Sequence, residues 1–209
     1  MGESALRDRW TSRAKWLHWL IAFMILVEVP VGFVMAYTYG LKFTDPDGVG
    51  KLHILMAQIH ITNGFLILAL VTYRLTWRFR HPAPDLPASL QAYQKFVARL
   101  THGFLYALLF LLPLSGWAAN SVLGDTERFG VTELWFFAWD IMPPLLPQLP
   151  LDHQFGYGFF ATIHRYAIYT GGGILSLHII AALWHHFVQK DNILSRMWPM
   201  ADPQGGSES

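Results

Sequence analysis

The stretch HRYAIYTGGGILSLHIIAALWHH, residues 164–186, sets four histidines into an otherwise apolar run. As an α-helix rising 1.5 Å per residue, a run of this length crosses a hydrocarbon core of about 30 Å. His164 and His178 are fourteen residues apart, close to four helical turns. They therefore share one helix face, with about 21 Å between them along the axis. Ionisable side chains at such depth are costly and mark functional positions.

Three further apolar runs precede this one, at about 16–37, 53–72 and 100–119; the fourth extends over about 159–188. None alternates strictly between apolar and polar residues, so they read as helices and not as barrel strands. Composition agrees: 53% of the 209 residues are hydrophobic and 14% charged, against about a quarter charged in soluble domains. The expected fold is an all-α membrane protein, a four-transmembrane-helix bundle forming one domain over 1–199. Residues 200–209 read as a disordered tail. A net charge of +1 gives no electrostatic case for a nucleic-acid partner. The absence of cysteine excludes disulfides, thiolate metal sites, iron–sulfur clusters and covalent c-type haem attachment. A metal centre must then rely on His, Met, Tyr or carboxylate, and ten histidines are available.

Basic residues give the orientation. The N-terminal arm has Arg7, Arg9, Arg13 and Lys15. The connection between the second and third spans, with its flanks, has Arg74, Arg78, Arg80, Lys95 and Arg99, and the C-terminal end has Lys190 and Arg196. That is eleven on one side, against Lys42, Lys51, Arg128 and Arg165 on the other. Both termini are expected in the cytoplasm. The first span is too long for a signal-peptide core and lacks a small-x-small cleavage site, so it reads as retained. The Pro-rich RHPAPDLPASL (residues 80–90) should end the second helix. The outer connection, about 120–157, contains LWFFAWDIMPPLLPQLP, whose aromatic residues suit the headgroup layer.

This topology assigns each histidine a height. His18 falls near the inner face and His178 at a similar level; His60 and His164 fall together near the outer face. Two imidazoles from facing helices at one level are what a six-coordinate b-type haem requires. The sequence thus predicts two stacked bis-His sites, His18 with His178 and His60 with His164. Gly32, Gly64, Gly171, Gly172 and Gly173 would leave room for macrocycles. Arg74, fourteen residues after His60, would pair with a haem propionate at the inner site. A lone intramembrane histidine is often an interhelical hydrogen-bonding group; four that pair by height argue against that alternative.

Four pieces resemble the bacterial cytochrome b561 family of four-helix dihaem cytochromes: WLHWLIAF, IHITNGFLILALVTYRLTWRFRHPAP, THGFLYALLFLLPLSGW and SLHIIAALWHHFVQKDNILSRM. They run from about residue 14 to 197 in the family's order. The resemblance implies haem b ligation by His18, His60, His164 and His178. It also implies a multi-pass location in the bacterial inner membrane and electron transfer between the quinone pool, ubiquinone included, and an outer-side partner such as a periplasmic redox protein. One branch is similar to a superoxide oxidase that passes electrons from superoxide to ubiquinone. The outer connections here carry seven acidic residues against four basic ones, a formal −3, which disfavours an anionic substrate and ranks that reading second. A His-based proton or metal transporter ranks third, for want of paired acidic ligands and of repeat symmetry.

Other histidines stay open at this level. His53 suits an interfacial or propionate contact better than an alternative ligand role. His102 is read as a propionate partner or a helix cap. His185 and His186 are read as neighbours of a haem or quinone, or as a solvated helix end. His81 and His153 read as loop residues. Glu28, ten residues after His18, is read as a proton relay to a quinone, as the partner of a polar neighbour on another helix, or as a protonated structural hydrogen-bonding group.

Overall fold

The computed structural model describes residues 10–87, 90–123, 143–150 and 152–199. Helix α1, Ser12–Leu41, opens at Thr11, whose hydroxyl accepts the Ala14 N–H at 3.3 Å and so supplies an N-cap. Helix α2, Lys51–Arg80, follows a π-helical turn, Pro46–Gly50. The Asp45 carboxylate fastens that turn by accepting from Gly48 and Val49 at 2.9 and 3.1 Å. Helix α3 is Ala92–Leu123. Helix α4, Tyr157–Trp184, runs on through a π-helical turn, His185–Gln189, which stops at Lys190 in the left-handed region with φ 54°. All four are long and apolar enough to cross a membrane, and the described residues contain no strand. This is a multi-pass membrane protein of the expected all-α class.

The helices, 28 to 32 residues long, mostly outrun the apolar runs within them. Hydropathy registers the part in hydrocarbon and misses polar turns beyond it, such as Arg74–Arg80 of α2 and the first turns of α3. Pro30 and Pro113 lie inside α1 and α3. Membrane helices tolerate proline where neighbouring groups satisfy the freed carbonyls.

The closest packing pairs α1 with α2 and α3 with α4, and α2 against α3 joins the two pairs. Helix α4 meets α1 at His18–His178 and α2 at His60–His164. Large apolar side chains such as Phe23, Leu26, Leu177 and Ile180 are exposed on the outer surface, where lipid tails replace water as the solvent.

Three hydrogen bonds gather the chain ends at one end of the bundle. Trp77 Nε1 donates to Thr11 Oγ1 at 3.0 Å, Trp19 Nε1 to the Met197 carbonyl at 2.8 Å, and Arg196 Nη1 to the Asp85 carbonyl at 3.1 Å. At the far end, residues 143–150 fold back onto α3. Trp117 Nε1 donates to the Pro143 carbonyl at 3.0 Å, and the Leu145 N–H donates to Ser121 Oγ at 2.8 Å. The aromatic run before Pro143, the basic arm before Trp10 and the tail 200–209 lie outside the described residues.

Candidate cofactor sites

Helix α4 brings its two same-face histidines to two different partners. Toward the far end, the rings of His164 and His60 of α2 stand with centroids 6.1 Å apart and planes at 81°. Toward the termini, His178 meets His18 of α1, with centroids 6.3 Å apart and planes at 79°. These separations suit axial ligation. Metal–imidazole bonds of about 2 Å, with each nitrogen about 1 Å from its ring centre, put two axial rings about 6 Å apart. Among the described residues no three His, Asp or Glu side chains converge as a closed metal site. A pair of imidazoles fits a metal whose remaining ligands come from a macrocycle.

The surroundings orient the rings. His164 Nδ1 lies 2.9 Å from the Leu112 carbonyl and 3.1 Å from Ser115 Oγ. With Nδ1–H donated to that carbonyl, Nε2 is left to bind metal. His60 Nδ1 lies 2.8 Å from Glu28 Oε1, and both side chains are largely buried. The oxygen sits off the line of the N–H, so Nδ1 has no well-directed hydrogen bond among the described residues. Asn63 holds the other carboxylate oxygen, donating from Nδ2 to Glu28 Oε2 at 2.7 Å and to the Met24 carbonyl at 3.1 Å. Glu28 therefore belongs to the far-end site. Its signal in the sequence is its place one turn before Gly32, on the same face of α1.

Two glycines admit these rings. A Cβ on Gly32 would stand 2.9 Å from His60 Cε1 and 3.1 Å from Nδ1, closer than side chains approach. A Cβ on Gly116 would stand 3.3 Å from His164 Cε1, a milder conflict. The expectation that glycines make space is thus refined at Gly32: the space is filled by the ligand-type imidazole itself. A Cβ on Gly64 would make ordinary contact with Glu28 at 3.6 Å, one on Gly171 would touch Leu108 at 3.7 Å, and one on Gly172 or Gly173 would meet nothing within 4 Å.

At the termini end, Arg74 donates from Nη1 to the Ala14 carbonyl at 2.5 Å and from Nε to Tyr106 Oη at 3.1 Å. The side chain is thereby fixed between α1 and α3, beside the His18–His178 level, with three of its five N–H groups not used in these bonds. His102 of α3 joins the same cluster, its ring 5.2 Å from that of His178 and its Nδ1 2.6 Å from the Ala98 carbonyl. Since His102 lies in the third turn of a helix starting at Ala92, it does not cap that helix.

The remaining histidines separate clearly. His53 is buried, with Nδ1 3.1 Å from the Met35 carbonyl and 3.2 Å from Thr38 Oγ1. It ties α2 to α1, a contact other than the interfacial or propionate one expected of it. Replacing it by alanine should lower stability in detergent by about 1 kcal/mol, the scale of an interhelical hydrogen bond in membranes, with the visible spectrum unchanged. A thermal melt followed at the Soret band checks both. His185 Nδ1 lies 2.5 Å from Asp191 Oδ2, and Asp191 Oδ1 accepts the Ile193 N–H at 3.0 Å. His186 packs edge-on to Phe187, and His81 stacks on Trp77 with centroids 3.8 Å apart.

Comparison with known proteins bears on this arrangement over its whole length. Cytochrome b561 homolog 1 of Escherichia coli (strain K12) is 27% identical over 92% of this chain and 98% of its own. A protein of Yersinia pestis named "Probable superoxide oxidase CybB" is 26% identical over 88% of this chain and 92% of its own. Cytochrome b562 of Cereibacter sphaeroides is 28% identical over 87% and 89%. The sequence model of prokaryotic cytochrome b561 matches residues 9–200, and the chain belongs to that family of membrane electron carriers with b-type haem.

Proposed function

We propose that the chain is a dihaem cytochrome of the bacterial inner membrane, with both termini cytoplasmic, that carries electrons between the quinone pool and an outer-side redox partner. His18 and His178 would hold the inner haem, and His60 and His164 the outer one. The observation that carries this reading is the double pairing: two imidazole pairs, each with centroids about 6 Å apart, set four turns apart along α4. Bound there, haem b supplies a reversible one-electron centre at each level. The Leu112 carbonyl and Ser115 hold His164 from its Nδ1 side, and Glu28 Oε1 lies 2.8 Å from Nδ1 of His60. Arg74, already fixed by Ala14 and Tyr106, offers its remaining N–H groups to a propionate at the inner level. Beside it, an open cleft of about 540 Å³ between α2 and α3 is lined by Arg78, Arg99, His102 and Tyr106, groups suited to anionic ends.

Quinone chemistry needs protons as well as electrons. The His185–Asp191 pair at the inner end of α4 suits such a transfer: the carboxylate orients the ring through Nδ1, which would leave Nε2 to face a quinone oxygen. Replacing Asp191 by Asn should slow haem reduction by quinol several-fold without changing haem content. Stopped-flow mixing with a short-chain ubiquinol checks this, and an unchanged rate would remove the pair from the pathway.

A superoxide oxidase reading is supported by the relative of that printed name, and is opposed by the formal −3 of the outer connections. The two readings separate on mixing the oxidised protein with quinol and with superoxide. Faster reduction by superoxide, lost when outer-connection charges are changed, would reverse their order.

A further inference from the structure

Glu28 has no part in the reading above beyond its position, and its environment is specific. It sits near the middle of α1 and is largely buried, with one carboxylate oxygen held by Asn63 at 2.7 Å and the other 2.8 Å from His60 Nδ1. A neutral imidazole that binds metal through Nε2 carries its proton on Nδ1. That buried N–H requires an acceptor, since an unmet donor in hydrocarbon is costly. Oxygen Oε1, at 2.8 Å, is the carboxylate oxygen within hydrogen-bonding distance of it. Asn63 prevents the carboxylate from swinging away, and Gly32 sets the ring between the two helices. The other rings differ. His164 has a neutral carbonyl and a hydroxyl at Nδ1. Among the described residues, neither His18 nor His178 has a carboxylate within ion-pairing distance.

We infer that Glu28 is a positioning residue for the outer haem: its carboxylate accepts the Nδ1 proton of His60, fixes the ring and lowers the reduction potential of that haem selectively. A carboxylate at Nδ1 draws the proton toward itself and makes the ligating nitrogen more basic. Its negative charge also favours the more positive ferric state over the ferrous one, strongly so in a medium of low dielectric. Both effects act in one direction, and at one of the two haems. The inference rests on the bis-His assignment above.

Potentiometric titration of the purified holoprotein tests it, with E28Q as the principal variant. Glutamine keeps the shape and an acceptor oxygen but loses the charge. One midpoint should rise and the other should stay. A tenfold loss of ferric over ferrous preference corresponds to about 59 mV for one electron, and a rise of that order is expected. Asn63→Leu, which keeps the carboxylate and removes its anchor, should raise the same midpoint by less. In E28L, retention of the outer haem should also fall by roughly 10–100-fold, the usual effect of losing such a partner. If E28Q fails to hold both haems, the Asn63→Leu midpoints decide in its place. Unchanged midpoints, or two midpoints rising equally, would overturn the role of Glu28. Wild-type protein with fewer than two haems would instead overturn the bis-His assignment, so the two failures are distinguishable.

Discussion

Replacing His178 by alanine is expected to halve the haem content, from two per chain to one, with the outer haem retained. His178 meets His18 at 6.3 Å between ring centroids, and both lie at the termini end of the bundle. His60 and His164 lie on the other side of the Gly171–Gly173 stretch of α4 and share no side chain with the inner pair. His102 is close enough to need separate treatment, with its ring 5.2 Å from that of His178. At 5.2 Å that ring stands closer to His178 than the about 6 Å that a metal between two imidazoles sets, which makes it a neighbour of the ligand and not its substitute. His102→Ala should therefore keep both haems, while His178→Ala loses one. Pyridine haemochrome assay against protein concentration reads both. Two haems in His178→Ala would mean that the pairing is wrong.

The second large effect is expected at Gly32. A side chain there must occupy the space of the His60 ring, since even a Cβ would stand 2.9 Å from Cε1. Gly32→Leu should push that ring off its axis and lose the outer haem, giving one haem per chain and a single remaining midpoint. Gly116→Ala, where the nearest ring atom would be 3.3 Å away, should keep both haems with a small shift in the outer one. The contrast between the two glycines is the informative part. Loss in both variants would indicate general helix disruption, and retention in both would show that the ring has space elsewhere. Overpacking of a close-packed contact costs about 1–3 kcal/mol, so the bundle itself should still assemble in Gly32→Leu.

The bundle was legible because hydropathy and helical rise need no tertiary knowledge. Fourteen residues between His164 and His178 translate directly into one face and a known separation, and topology then pairs heights. What a sequence does not supply is direction around each helix axis. Glu28 could be given a depth, but nothing in α1 alone says that it points at α2 and reaches His60. The same holds for His53, whose depth suits an interfacial or propionate contact. Its ring instead turns inward to Thr38 and the Met35 carbonyl. Gly32 was legible as a small residue at the outer level, yet its neighbour proved to be an imidazole. The link between His185 and Asp191 was hidden for a different reason. It depends on the turn at Lys190, a non-glycine residue at positive φ, which no local sequence signal announces.

Two haem levels within one four-helix chain is the claim on which the electron-carrier reading, the role of Arg74 and that of Glu28 all depend. The most direct test is the haem-to-protein ratio of the purified wild-type chain, taken with its reduced-minus-oxidised spectrum. The expected result is a b-type α-band and two haems per chain. A ratio of one, or no α-band, would contradict it.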